Sequence, residues 1–83
     1  MPKMLVVDDE PRIREIIKEY AEFNGFEVVQ SEDGMDAVEK VKKEDFDIII
    51  MDIMMPKLDG FSACKEIKKI KEIPVIMLSA RGE

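Results

Sequence analysis

Asp47-Ile48-Ile49-Ile50-Met51-Asp52 decides the fold. A run of four large apolar residues is too short for a buried helix and has the length of a strand covered on both faces. Such a strand is interior to a parallel sheet, yet this one ends in a carboxylate, with Pro56 and Gly60 soon after. A buried strand that delivers an acid to a loop fixes the acid while leaving it open to a partner. A second run, Met4-Leu5-Val6-Val7, ends the same way, in Asp8-Asp9-Glu10.

Working outward, strands and helical patterns alternate. Met4–Val7 is the first strand. Pro11 suits the first turn of a helix, where its missing N–H would be unpaired anyway, and Ile13, Ile16, Ile17, Tyr20 and Ala21 follow at helical spacing. Asn24-Gly25 ends that helix, since glycine accepts the left-handed stop conformation. Phe26–Gln30 is the second strand. Asp33 can cap a second helix with Ala37, Val38 and Val41 on its inner face. Asp47–Met51 is the third strand. Asp59-Gly60 opens a third helix, with Phe61, Cys64, Ile67 and Ile70 on one stripe. Pro74–Leu78 is the fourth strand, followed by Ser79.

This β-α-β-α-β-α-β order implies an α/β fold with a doubly wound parallel sheet. Strands one, three and four are unbroken apolar runs. Strand two, with Glu27 and Gln30 around Val28-Val29, is more polar and suits an edge. The order 2-1-3-4 fits, and it puts strands one and three together where the winding reverses. Ligands of open α/β sheets bind at that reversal, beyond the carboxyl ends of the strands. Asp8, Asp9 and Asp52 are all expected there. Right-handed crossovers place the first helix on one face and the other two on the opposite face. One helix cannot cover four strands, and an apolar strand at an open edge invites pairing with another chain. Residues 1–83 are therefore read as the N-terminal part of a larger domain, cut before a fifth strand, with self-association through the strand-four edge expected.

With 83 residues the chain is at most one domain. No stretch is long and apolar enough to span a bilayer. One cysteine and no secretory signal favour a reducing, cytoplasmic setting. A formal net charge of −6 argues against direct nucleic-acid contact by this segment, because phosphate binding needs a basic face.

Carboxylates from neighbouring strands, roughly 4.8 Å apart, disfavour joint ionisation unless a cation sits among them. Mg²⁺ (or Mn²⁺), a hard ion with oxygen ligands, suits such a site. A carboxylate there could also attack phosphorus and form an acyl phosphate, and Ser79 would be placed to donate a hydrogen bond to a phosphoryl oxygen.

Three blocks carry a resemblance: Leu5-Val6-Val7-Asp8-Asp9-Glu10-Pro11, Asp47 through Gly60, and Ile73-Pro74-Val75-Ile76-Met77-Leu78-Ser79-Ala80. In this order they resemble the signature blocks of bacterial two-component response-regulator receiver domains, and weakly those of the OmpR/PhoB type. The resemblance implies a flavodoxin/CheY-like fold and a signalling phosphoacceptor rather than an enzyme. By the same token, Asp52 accepts phosphate from a sensor histidine kinase. Asp9 and Asp52 ligate Mg²⁺ through their side chains, Asp8 assists, and the Met54 backbone carbonyl is a further ligand. Ser79 matches the switch hydroxyl. The resemblance also implies an attached output domain, outside this chain, that binds DNA. Receivers also carry a lysine at the end of a fifth strand, and no lysine of this chain takes that place.

Blander assignments compete at each position. Asp8-Asp9 could cap the first helix, Asp52 could be a polar strand end, Ser79 a turn residue, Cys64 a core residue, and the methionines packing residues. A Mg²⁺-dependent phosphohydrolase with an aspartate nucleophile is a rival, but Met54 stands where its second acid belongs. An inert structural or interaction fragment is the other.

Overall fold

Seven elements alternate along the chain in the computed structural model, which describes residues 1–78. They are β1 (Lys3–Val7), α1 (Pro11–Phe23), β2 (Glu27–Ser31), α2 (Gly34–Lys43), β3 (Ile48–Asp52), α3 (Gly60–Ile70) and β4 (Val75–Leu78). The strands form one sheet in the order β2-β1-β3-β4, with every pair parallel. This is the order expected from strand composition. Asp47, immediately before β3, pins the central pair, because its carboxylate accepts the Lys3 N–H at 2.7 Å and its own N–H donates to the Lys3 carbonyl at 2.8 Å.

Alternation along β3 divides the interior in two. Ile49 and Met51 point to one face and join Leu5, Val7, Ala37, Val41, Ala63 and Ile67 beneath α2 and α3. Ile48 and Ile50 point to the other face and pack against the smaller group of Met4, Val6 and Ala21 beneath α1. Among the described residues only α1 lies on that second face, and Ile76 and Leu78 of β4 remain exposed there.

Helix ends follow their local chemistry. At the end of α1, the Phe26 N–H donates to the Ala21 carbonyl and the Gly25 N–H to the Glu22 carbonyl, both at 3.0 Å. These paired bonds need a left-handed residue between them, and Gly25 supplies it with φ +89°. At the start of α2 the Asp36 N–H donates to Asp33 Oδ1 at 2.8 Å. At the start of α3 the Ser62 N–H donates to Asp59 Oδ1 at 2.9 Å. Asp33→Ala is expected to destabilise the domain by about 1–2 kcal/mol through loss of this cap, while Asp33→Asn, which still caps, changes it far less. Thermal unfolding of the two variants side by side checks this.

Two helical stripes differ from expectation. In α1 only Ala21 is fully buried; Ile13 and Ile17 are half-buried, Ile16 and Tyr20 are exposed, and Phe23 is 89% exposed. The helix spans two strands, so its apolar arc is wider than the surface it meets. In α3 the buried face is Gly60, Ala63 and Ile67, with Cys64 half-buried and Phe61 and Ile70 exposed. The helix approaches its neighbours too closely for large side chains: a Cβ at Gly34 of α2 would lie 3.0 Å from the Ala63 Cβ. The small residues therefore face inward, and the stripe rotates away from Phe61.

Candidate functional site

The registers of β1 and β3 bring their carboxyl ends level, with Val7 opposite Met51. Asp8 and Asp9 leave β1 where Asp52 ends β3, and one carboxylate oxygen from each of the three lies within 4.8 Å of the others. Asp8 is 7% and Asp52 6% exposed, while Asp9 is open to solvent. Among the described residues no salt bridge reaches any of the three. Two buried carboxylates and one open carboxylate, left without a cationic partner, are a donor set that fits a hard divalent ion.

The capping alternative for the aspartates does not hold. Glu10 occupies the N-cap of α1, with no side-chain cap bond. Asp8 Oδ1 instead accepts the Glu10 N–H at 2.9 Å, which fixes its carboxyl group at the site. Its backbone is held as well, because the Asp8 N–H donates to the Ser31 carbonyl at 3.2 Å and Arg14 Nη1 donates to the Asp8 carbonyl at 2.7 Å. Arg14 Nε reaches Gln30 Oε1 at 2.9 Å, so one guanidinium ties the start of the β1–α1 loop to β2. Sequence inspection did not single out Arg14; an arginine one turn into an exposed helix carries no distinguishing signal.

Burial raises the Asp52 carboxyl above its ordinary range; the Met54 and Ile53 backbone N–H groups offset part of that, and the Asp9 charge adds to it. Asp8 is raised by the same leading cause, with the Glu10 N–H opposing and the Asp52 charge reinforcing. In both, the charged form is disfavoured by the site, and an added cation would stabilise that form.

The β3–α3 loop completes the mouth. Met54 lies in it, with its side chain exposed rather than packed, beside Ile53, Met55, Pro56, Asp59 and Phe61 around a shallow apolar hollow. Met55 and Leu58 pack against the main core. Lys57 has φ +69°, and the Leu58 N–H donates to the Pro56 carbonyl at 2.8 Å across it. This is a three-residue turn in its strained, positive-φ form, and for a residue other than glycine it costs about 1–3 kcal/mol. Nothing in Pro56-Lys57-Leu58 announces it. The last expected site residue, Ser79, lies outside the described residues.

A family model described as Response regulator receiver domain matches residues 4–83, and the chain belongs to that family. It is a receiver domain of the kind found in two-component response regulators, a signalling module. It is 41% identical over 83 residues to the transcriptional regulatory protein CpxR homolog of Haemophilus influenzae, covering all of this chain and 36% of that protein. It is 42% identical over 81 residues to the transcriptional regulatory protein ResD of Bacillus subtilis, covering 98% of this chain and 34% of that one. The chain thus spans about a third of the length of the curated relatives it matches. Among solved structures it is similar to the response regulator TrrA of Thermotoga maritima in complex with Mg²⁺ and BeF, with a TM-score of 0.91 and 42% identity, over 96% of this chain and 70% of that one. A further structure contains TrrA in complex with the histidine kinase ThkA.

Proposed function

We propose that this domain takes a phosphoryl group from a phosphohistidine of a sensor histidine kinase onto Asp52, and passes the change to an output function, transcription. The observation that carries this is the meeting of Asp52 with Asp8 and Asp9 at the winding reversal, without a cationic partner among the described residues. Asp8, Asp9 and Asp52, with the Met54 carbonyl, would hold Mg²⁺ or Mn²⁺. When bound, the ion neutralises charge that develops on the phosphoryl oxygens.

The chain's own groups account for the rest. β3 presents Asp52 at a fixed position, buried on its flanks and reachable from the loop side. An Asp52 Oδ lone pair forms the new O–P bond as the N–P bond to the donor imidazole breaks. The electron pair returns to the imidazole nitrogen, which takes a proton from solvent. Asp8, anchored by the Glu10 N–H, and the open Asp9 keep oxygen ligands facing the reacting group. Ser79 would supply a hydrogen bond to a phosphoryl oxygen. The kinase partner is supported by the TrrA–ThkA complex, and the output by the names of the regulators that share this sequence. With a charge of −6 on this segment, DNA contact belongs to an output domain outside it. A cytoplasmic setting goes with this reading.

Treating the intact protein with acetyl phosphate tests it. The expected result is one phosphoryl group, located at Asp52 by peptide mass and appearing only with Mg²⁺ or Mn²⁺. Modification at another residue, or none in either condition, would overturn it.

A further inference from the structure

Lys57 adopts a backbone conformation that glycine would reach without strain, so its side chain must return something. Its Nζ lies 3.5 Å from Asp33 Oδ2. The partners differ in setting: the Lys57 side chain is 64% exposed and that of Asp33 only 8%. The other Asp33 oxygen already caps α2 through the Asp36 N–H. One buried carboxylate therefore serves both the first turn of a helix and the tip of the loop that follows Asp52.

Next to this pair the two segments are in backbone contact. A Cβ at Gly34 would lie 2.3 Å from the Leu58 carbonyl oxygen, so the loop rests directly on the start of α2. At its base the loop is closed by the Gly60 N–H donating to the Ile53 carbonyl at 2.9 Å. Met54 sits between this base and the tip. Its position follows from how firmly the two ends are held.

We propose that Asp33 and Lys57 form a latch that holds the β3–α3 loop against the N-terminus of α2, and thereby sets how tightly the acidic site retains a divalent cation. The link to the cation rests on the reading of the site given above. Lys57 is a positioning residue in this scheme, acting through the loop and not by contact with the ion. Glycine in its place would relax the turn and release the latch together, which explains why a strained lysine stands there.

The test compares Lys57→Ala, Lys57→Arg and Asp33→Asn in the intact protein, the last keeping a capping side chain. Amide hydrogen exchange is read without metal, and the Mg²⁺ dissociation constant by calorimetry. In Lys57→Ala, exchange at Leu58 and Gly60 is expected to quicken about threefold to fivefold, the upper range for a half-exposed pair. Exchange at Leu5 and Val6 stays unchanged, and Mg²⁺ binding weakens by a similar factor. Asp33→Asn behaves as Lys57→Ala does, and Lys57→Arg restores both readouts. Unchanged exchange at Leu58 and Gly60 in Lys57→Ala overturns the latch, as does an arginine variant no better than alanine. Faster loop exchange with unchanged Mg²⁺ affinity overturns the coupling to the site. A wild-type protein that fails to bind Mg²⁺ removes the functional reading and with it the coupling, while the exchange measurements still decide the latch.

Discussion

Asp52→Asn is expected to abolish phosphoryl acceptance completely and, in the absence of metal, to make the domain more stable. The first effect follows from chemistry: an amide oxygen is a poor nucleophile toward phosphorus and cannot form the acyl phosphate. The second follows from the site's electrostatics. Three carboxylate oxygens lie within 4.8 Å of one another with no ion pair to offset them among the described residues. Two unit charges at such a distance repel by about 1–3 kcal/mol at effective dielectric constants from about 80 down to 20. Removing one should raise the metal-free stability by about 1 kcal/mol or more. The sign with pH is fixed as well. Asp52 and Asp8 have folded-state values above the ordinary 3.8. Between 3.8 and those raised values the folded state holds protons that the unfolded state has released, so stability falls as pH rises through that interval. The asparagine variant escapes the Asp52 share of this loss. Its advantage over wild type should be full above the raised values and fade as pH falls well below 3.8, where the Asp52 carboxyl is protonated in the folded and the unfolded state alike. Mg²⁺ reverses the order, because a ligand of the folded state stabilises the protein that binds it more tightly. Urea unfolding of both proteins, with and without Mg²⁺ and across pH, reads all of these effects. A variant less stable than wild type without metal would contradict the electrostatic account.

Gly60→Ala carries the largest expected loss of stability. Helix propensity alone favours alanine by about 1 kcal/mol, so an ordinary first-turn position would gain. Here a Cβ would stand 2.3 Å from the Asp52 carbonyl oxygen, 2.9 Å from the Ile53 Cα and 3.0 Å from the Met77 Cε. The methionine can move aside, but the first two atoms belong to the backbone that carries Asp52. Relief requires α3 to retreat from β3 or β3 to shift, and either loosens the Gly60–Ile53 hydrogen bond. Overpacking costs about 1–3 kcal/mol and occasionally more, and obstruction by backbone atoms puts this case at the upper end, beyond the propensity gain. The urea midpoint is expected to fall accordingly, and Mg²⁺ affinity to fall with it, because the same shift moves Asp52. A midpoint equal to or above wild type would show that α3 has slack the structure does not display.

The central architecture was legible because burial writes itself into composition. Ile48-Ile49-Ile50-Met51 could only be interior, Glu27 and Gln30 marked β2 as an edge, and the winding reversal then placed Asp8, Asp9 and Asp52 together. What escaped was decided by close approach and by backbone conformation. Gly60 and Ala63 face inward on α3 because the helices nearly touch, whereas an apolar stripe built from Phe61 and Cys64 weighs size alone. Ile16 and Tyr20 fit a helical period but remain exposed among the described residues. Lys57 carries no trace in its letter of a positive φ or of Asp33, twenty-four positions earlier.

The β1–β3 register also bears on the order in which the molecule assembles. β1 pairs with β2 through nearby sequence, but Met4 meets Ile48, 44 positions later, only after all of the chain between them has been drawn in. Closing the longer loop costs more entropy, so β1-α1-β2 can organise before β3 arrives. In that order of assembly Asp8 and Asp9 are in place before Asp52 joins them. A divalent ion that finds its full set of ligands only after that closure is expected to slow unfolding more than it speeds folding.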